Sequence, residues 1–417
     1  PLRKNCSLAG KRGSVMAEQM KPSGIDWIGD IPNEWGITKV RFVTKLRSEQ
    51  GFYNSDDKYI GLENISSYTG EYISTESEYD AGTYDLYKAG DLLFSKLRPY
   101  LAKALIADDC GFCTGELAVI KEYNGDIRYL FYYMLSDGFL KMVDASTYGA
   151  KMPRASWDYI KNLQIPVIRK SEQQTITDFL DKECAQIDSI AADLEKQIAL
   201  LQQYKKSLIT ETVTKGLDKS APMKDSGVEW IGKIPEHWNV TKIKYFCRMY
   251  SGENLTSADI EPDGDYPVYG GNGKRGYYSN FTNDGEHVLI GRQGALCGNV
   301  HLVSGKFWAT DHAVVTYPTK EIINKYLYYL LQSMNLNQYS QSAAQPGLAV
   351  NVILALKACL PSTLKEQKTI VDFLDDKCLH VDQIILQKEN QFNILQQHKK
   401  SLIYEYVTGK KRVKEVQ

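Results

Sequence analysis

Apolar residues return every seven positions from Leu180 through Ile187, Leu194, Leu201 and Leu208, with Cys184, Ala191 and Ile198 four positions after the first three. This is the alternation of a helix whose narrow apolar seam needs a second helix to cover it. The seam recurs as Leu374, Cys378, Val381, Ile385, Phe392, Leu395 and Leu402, with Lys388 where the first copy has Leu194, which is expected to loosen one layer. The helices are copies. EQQTITDFLDKECAQIDSIAADLEKQIALLQQYKKSLITETVTKG from Glu172 and EQKTIVDFLDDKCLHVDQIILQKENQFNILQQHKKSLIYEYVTGK from Glu366 share 24 of 45 positions.

Ahead of each helix the pattern shortens. GDLLFSKLRPYLAKALIADDCGFCTGELAVI from Gly90 and GEHVLIGRQGALCGNVHLVSGKFWATDHAVV from Gly285 are apolar runs cut by glycine, which predicts short strands and tight turns. A tyrosine-rich helical piece follows in each, RYLFYYML from Arg128 and KYLYYLLQ from Lys325, with apolar faces expected in the core. Each block opens on a further copy: SGIDWIGDIPNEWGITKVRF from Ser23 and SGVEWIGKIPEHWNVTKIKY from Ser226 agree at ten of twenty positions. Its tryptophans, Trp27, Trp35, Trp230 and Trp238, are expected to pack block against helix, with contact to a partner protein as the alternative. A repeat this long implies a repeated architecture.

The chain order is block, helix, block, helix. The predicted fold class is α+β, with two mixed, sheet-rich domains separated by two long helices that pair as an antiparallel coiled coil, giving internal pseudo two-fold symmetry. The start of the second helix is tied near the end of the first, which favours the antiparallel sense. At 1.5 Å per residue the pair would make a rod of roughly 65 to 70 Å. The expected divisions are an N-terminal extension without fixed structure over 1–21, blocks over 22–166 and 224–361, helices over 167–215 and 362–410, a linker over 216–223 and a tail over 411–417.

Composition narrows the function. The 417 residues are 43 % hydrophobic and 24 % charged, which suits two globular domains, and no apolar run approaches a membrane span. The basic opening PLRKNCSLAGKRGSV lacks the apolar core of a secretory signal, so a cytoplasmic location is expected. The eight cysteines include one close pair, Cys110 and Cys113, too few for a zinc site; Cys184 and Cys378 fall on the buried helix seams. Walker, Gly-x-Ser-x-Gly and His-Glu-x-x-His sequences are absent, as is the Asn/Asp-Pro-Pro-Tyr/Phe run of amino-methyl transfer. Asp311-His312 has no identifiable nucleophile or metal partner, so it reads as structural.

Basic and aromatic residues interleave at two places. Lys96, Arg98, Tyr100 and Lys103 follow an apolar strand; Lys274, Arg275, Tyr277 and Tyr278 lie in the glycine-rich stretch YPVYGGNGKRGYYSNF, with Arg292 beyond it. Such residues suit phosphates and base edges. The blocks are not basic overall: 15 basic against 21 acidic residues over 22–165, and 12 against 12 over 224–361. DNA bound by this chain would need basic residues gathered on one face, or a partner supplying phosphate contacts.

The opening SGxxWIGxIPxxW, the closing EQxxIxxFLDxxC and LLQQxKKSLIxExVT, and the YPVYGGNGKRGYY and GRQGALCG stretches resemble the specificity subunit of type I restriction-modification systems, over nearly the whole chain from Lys21. The resemblance implies two target-recognition domains, each reading half of a bipartite site in double-stranded DNA, on a helical rod that fixes their separation. It implies no catalysis and no cofactor in this chain. Two methyltransferase subunits would use S-adenosylmethionine, and restriction subunits ATP and Mg for translocation and cleavage. The residues expected at DNA are Lys96, Arg98, Tyr100, Lys103, Lys274, Arg275, Tyr277 and Arg292. A stand-alone DNA-binding regulator and a coiled-coil adaptor without DNA contact are the other readings.

Overall fold

The computed structural model describes residues 19–149, 151–294, 296–340 and 347–413. Residues 1–18 of the expected extension over 1–21, and 414–417 of the expected tail, lie outside these. Two long helices dominate, a central one over Lys170–Lys215 and a distal one over Leu364–Val407. The compact units cut across both: one runs to Leu194 and resumes at Gln391, and the other spans Glu195–Asn390. Each unit therefore holds one block, half of the central helix and half of the distal helix.

Within each unit the helix halves are antiparallel. In the second unit Lys388 bonds Gln197 at 2.5 Å and Lys205 bonds Asp382 at 2.7 Å, so numbers rise along one helix as they fall along the other. The seam supplies the apolar contact. Leu180, Cys184, Ile187 and Leu402 join one core with Leu395 at its edge, while Leu374 and Cys378 join the other with Leu208 at its edge. Leu194 and Val381 are buried as well, whereas Leu201 is half-buried. Burial pushes the Cys184 thiol up to about 11, as expected of an inert apolar cysteine.

The blocks repeat one plan despite their dissimilar sequences. In the first, a four-stranded antiparallel sheet has the order Thr44–Leu46, Leu117–Tyr123, Leu92–Ser95, Ala104–Ile106. In the second the order is Cys247–Ser251, Ala313–Pro318, His287–Gly291, Val300–Val303. A second sheet accompanies each, four-stranded in the first block and three-stranded in the second. The ends of each block are stitched together, Gly36–Lys39 pairing with Gln164–Val167 and Asn239–Lys242 with Lys357–Leu360. Chain therefore enters and leaves each block at one place.

The repeated motifs build that frame. The second tryptophan of each opening is fully buried, and its indole N–H donates to the glutamate starting the helix that follows, Trp35 to Glu172 at 3.1 Å and Trp238 to Glu366 at 2.9 Å. The same rings lie against the glycine ending the opposing helix. A Cβ on Gly409 (φ 71°) would come within 2.9 Å of Trp35, and one on Gly216 (φ 70°) within 3.2 Å of Trp238. One indole thus clamps the start of one helix to the end of the other. The first tryptophans, Trp27 and Trp230, are half-buried against the same cores.

The tyrosine helices, Ile127–Leu135 and Asn324–Ser333, complete the joint. Tyr129 donates to the Val407 carbonyl at 2.7 Å and Tyr326 to the Val213 carbonyl at 3.4 Å, satisfying carbonyls that a helix end leaves without partners. Tyr132 bonds Asp181 and Tyr329 bonds Asp375, at 2.7 and 2.8 Å. The next motif residue works from the other side: the Gln173 amide oxygen accepts from the Asp126 N–H, and that of Gln367 from the Ile323 N–H.

Three boundaries differ from the sequence expectation. Met20–Pro22 pairs with Asp30–Pro32, so order begins inside the expected extension. Met223–Asp225 pairs with Lys233–Pro235, drawing the end of the linker into the second block. Lys411 and Arg412 bond Glu405 and Glu34, so the start of the tail is held. In each case backbone pairing or a charge partner distant in sequence supplies order that local pattern does not reveal.

Candidate nucleic-acid interface

In the first block, Leu92–Ser95 runs into a short 3-10 turn, Pro99–Leu101, flanked by two non-glycine residues in the left-handed region, Arg98 (φ 49°) and Ala102 (φ 50°). Such backbone is costly for L-residues and marks a shape fixed by its surroundings. Here the Arg98 N–H is held by the Pro153 carbonyl, and the Lys96 N–H by the Glu116 carbonyl. Tyr100 projects from the turn, 50 % exposed. Lys96 and Arg98 are half-buried beside it.

Lys103 is not brought to the same surface. Its ammonium donates to the Leu62 carbonyl at 2.6 Å, and burial holds its pKa below the ordinary lysine value. The structure instead adds a segment that sequence reasoning passed over. Bridges from Arg154 to Leu97 and to Tyr148 bring these residues against the turn, where Tyr148, Lys151 and Arg154 are exposed. Arg154 donates to Glu116 at 2.8 Å, while Lys151 has no side-chain partner among the described residues. The TYGAKMPR sequence does interleave basic and aromatic residues, but only the tertiary bridge links it to Arg98.

In the second block the glycine-rich stretch is a β-hairpin rather than an open loop, with Tyr266–Gly270 pairing Gly273–Tyr278. The register slips between Val268 and Tyr269, leaving Arg275 as the extra residue of a bulge. Bulges re-aim side chains, and this one lays Arg275 across the partner strand: a Cβ on Gly270 would come within 2.7 Å of its Cδ. The guanidinium reaches Ser257 Oγ at 3.2 Å and stays exposed. The Lys274 ammonium sits 3.8 Å from the Tyr277 ring centroid and bonds its hydroxyl at 2.5 Å. Arg292 follows the strand His287–Gly291, with its backbone N 3.7 Å from where a Gly271 side chain would begin. Its guanidinium bonds Ser251 Oγ at 3.2 Å. Arg292 and the hairpin turn are thus neighbours, and all four candidates of this block lie on the hairpin or beside it.

Asp311 and His312 stand 4.0 Å apart, both well exposed, with no third group oriented on the imidazole. No group of three or more metal-ligating side chains occurs among the described residues, and none of their helices is long and apolar enough to cross a membrane. Cys113 is buried, its thiol pushed up to about 12, while Cys110 is exposed.

Known proteins place this arrangement. Residues 28–200 and 235–405 each match the type I restriction modification DNA specificity domain. The chain is 34 % identical over 260 residues to the type I restriction enzyme EcoprrI specificity subunit of Escherichia coli, covering 60 % of each chain. It is 26 % identical over 319 residues to the MjaVIII specificity subunit of Methanocaldococcus jannaschii, covering 69 % of this chain and 71 % of that one. A chain from a structure addressing complex assembly and conformational transition of the type I R-M system superposes with a TM-score of 0.69 at 15 % identity, covering 90 % of this chain and 98 % of that one, which shows a shared fold. With the specificity domain matched twice over most of its length, the chain belongs to the type I restriction-modification specificity subunit family.

Proposed function

We propose that this chain is the non-catalytic, DNA-reading subunit of a type I restriction-modification complex, each block reading one half of a bipartite site. The helices set the number of base pairs between the halves and dock methyltransferase and restriction subunits. S-adenosylmethionine, ATP and Mg belong in this reading to those partners, and this chain binds none. One observation carries the reading. The repeated tryptophans, glutamates, glutamines and tyrosines are engaged in holding the frame, whereas the exposed basic and aromatic candidates sit on elements that differ: a 3-10 turn with left-handed flanks in one block, a bulged hairpin in the other. A fixed frame with two unlike reading surfaces suits an asymmetric bipartite site. The lack of net positive charge on either block, 15 basic against 21 acidic residues over 22–165 and 12 against 12 over 224–361, fits a reader whose partners supply much of the phosphate contact.

Methylation-sensitive long-read sequencing of DNA from cells expressing this chain with its methyltransferase tests the proposal. The expected result is a bipartite motif with N6-methyladenine in both halves, absent when this chain is omitted. Assembly with a competent methyltransferase but no motif would favour the adaptor; specific binding without any partner would favour the regulator.

A further inference from the structure

The two units differ at one repeated position of the frame. In the first, Lys400 on the distal helix is covered by its own block: the ammonium lies 4.4 Å from the Tyr68 ring centroid, 3.3 Å from its hydroxyl and 3.5 Å from the Asp137 carboxylate. Burial works against the charge, yet these two partners hold the Lys400 pKa above the ordinary lysine value. Tyr68 makes this contact from a left-handed backbone (φ 64°), pinned by its N–H to the Ala102 carbonyl. Only about 10 Å³ of space remains between Tyr68, Asp137, Lys400 and Ile403.

The counterpart of Lys400 in the second unit is Lys206, and that of Ile403 is Ile209. Here no described residue fills the place. Lys205, Lys206 and Ile209 form one wall of a groove of about 550 Å³, with His301, Gln332 and Asn337 opposite. Met334, a core residue, stands where the first block has Asp137. The Lys206 ammonium has no partner among the described residues, and two shielded polar atoms of the opposite wall, His301 Nε2 and Gln332 Oε1, also have none. Lys205, by contrast, is paired with Asp382, so Lys206 is the cation of this wall left to meet a ligand.

We propose that this groove seats an aromatic and an acidic side chain presented by a segment of a partner polypeptide, the ring against Lys206 and the carboxylate on its ammonium, as Tyr68 and Asp137 do for Lys400. The first unit supplies the complementary chemistry from its own block, and the second takes it from outside. A partner therefore distinguishes the two otherwise similar frames and docks on the second in one orientation. This rests on the reading of the chain as a subunit of a larger complex.

The test uses the complex of this chain with an adenine methyltransferase subunit from its own genome. Lysines are acetylated in the free chain and in the complex, carbodiimide joins contacting amine and carboxylate groups, and peptides are identified by mass spectrometry, with Lys400 and Asp137 as internal standard. Acetylation of Lys206 is expected to fall at least tenfold on assembly, with a cross-link to a partner Asp or Glu close in space to an aromatic residue. Lys206→Glu should weaken assembly at least tenfold and Lys206→Arg far less, neither changing the melting temperature, since Lys206 is exposed. Equal reactivity of Lys206 in free and assembled chain overturns the inference and leaves the DNA-reading function standing. Protection that appears only with duplex DNA assigns the groove to nucleic acid and overturns it too. Failure of the two chains to assemble overturns the functional reading, and this inference with it.

Discussion

Gln173 and Gln367 are almost without solvent contact, and each gives its amide oxygen to the backbone N–H at the start of a tyrosine helix. Replacement by methionine keeps the volume but orphans that N–H, and a buried donor left unsatisfied costs about 1 to 3 kcal/mol. Gln173→Met and Gln367→Met should each lower the urea midpoint accordingly, with little change in helix content by circular dichroism. Arg275 presents the opposite case. It is exposed and bulge-directed, so Arg275→Ala should leave stability unchanged and, in the assembled methyltransferase, weaken binding to the cognate half-site by roughly five- to a hundredfold, the loss of one base contact. Unchanged affinity would remove Arg275 from the reading surface.

At the scale of elements, one motif has unequal weight in the two units. Lys399 and Asp188 cross the helix pair with the lysine side chain 5 % exposed, whereas the equivalent Lys205 and Asp382 are 28 % and 53 % exposed. Breaking a buried pair strands the remaining charge and costs about 3 kcal/mol, while a surface pair is worth under about 1 kcal/mol. Calorimetry should therefore show Lys399→Ala lowering one unit's transition clearly and Lys205→Ala hardly shifting the other's. Acid should also act through Arg128, which bonds Asp126, Asp178 and Asp181 at the joint between tyrosine helix and central helix. Burial raises the Asp126 pKa, but the Arg128 hydrogen bonds and charge prevail and hold it below the ordinary carboxylate value. The stabilisation is thus complete above about pH 4, the unfolded carboxylate range, and disappears as pH falls through the lower folded value. The stability gap between the native chain and Arg128→Gln, read by denaturation across pH 2 to 7, should narrow towards acid.

For the whole molecule, the stitched ends of each block mean that residues 40–163 can be exchanged for the same segment of a relative, provided that it keeps the tyrosine helix with its bonds to Gln173, Asp181 and the Val407 carbonyl. If each block reads one half-site, a methyltransferase assembled with such a chimaera should modify a motif altered in one half only. If helix length sets the spacer, one heptad added after Ala192 and matched after Leu386 lengthens the pair by ~10 Å. The methylated motif should then gain about three base pairs between its halves, at ~3.4 Å each. An unchanged spacer would show that the helices do not measure distance.

The sequence by itself determined the helices, their seam and the duplication, because heptad spacing and literal repetition are local properties that survive without coordinates. It also marked the basic and aromatic stretches from which candidate residues were drawn. Tertiary structure alone decided what those residues do. Lys103 turns to the Leu62 carbonyl, and Tyr148 and Arg154 come beside Arg98, because strand pairing joins positions some fifty residues apart. The repeat predicted two blocks of one architecture, but the strand order that they share was invisible for the same reason: sheet order is set by long-range hydrogen bonds that unlike side chains can satisfy equally well. So was the difference between Lys206 and Lys400, one amino acid at one repeat position, given opposite surroundings by Tyr68 and Asp137 in one block and by their absence in the other.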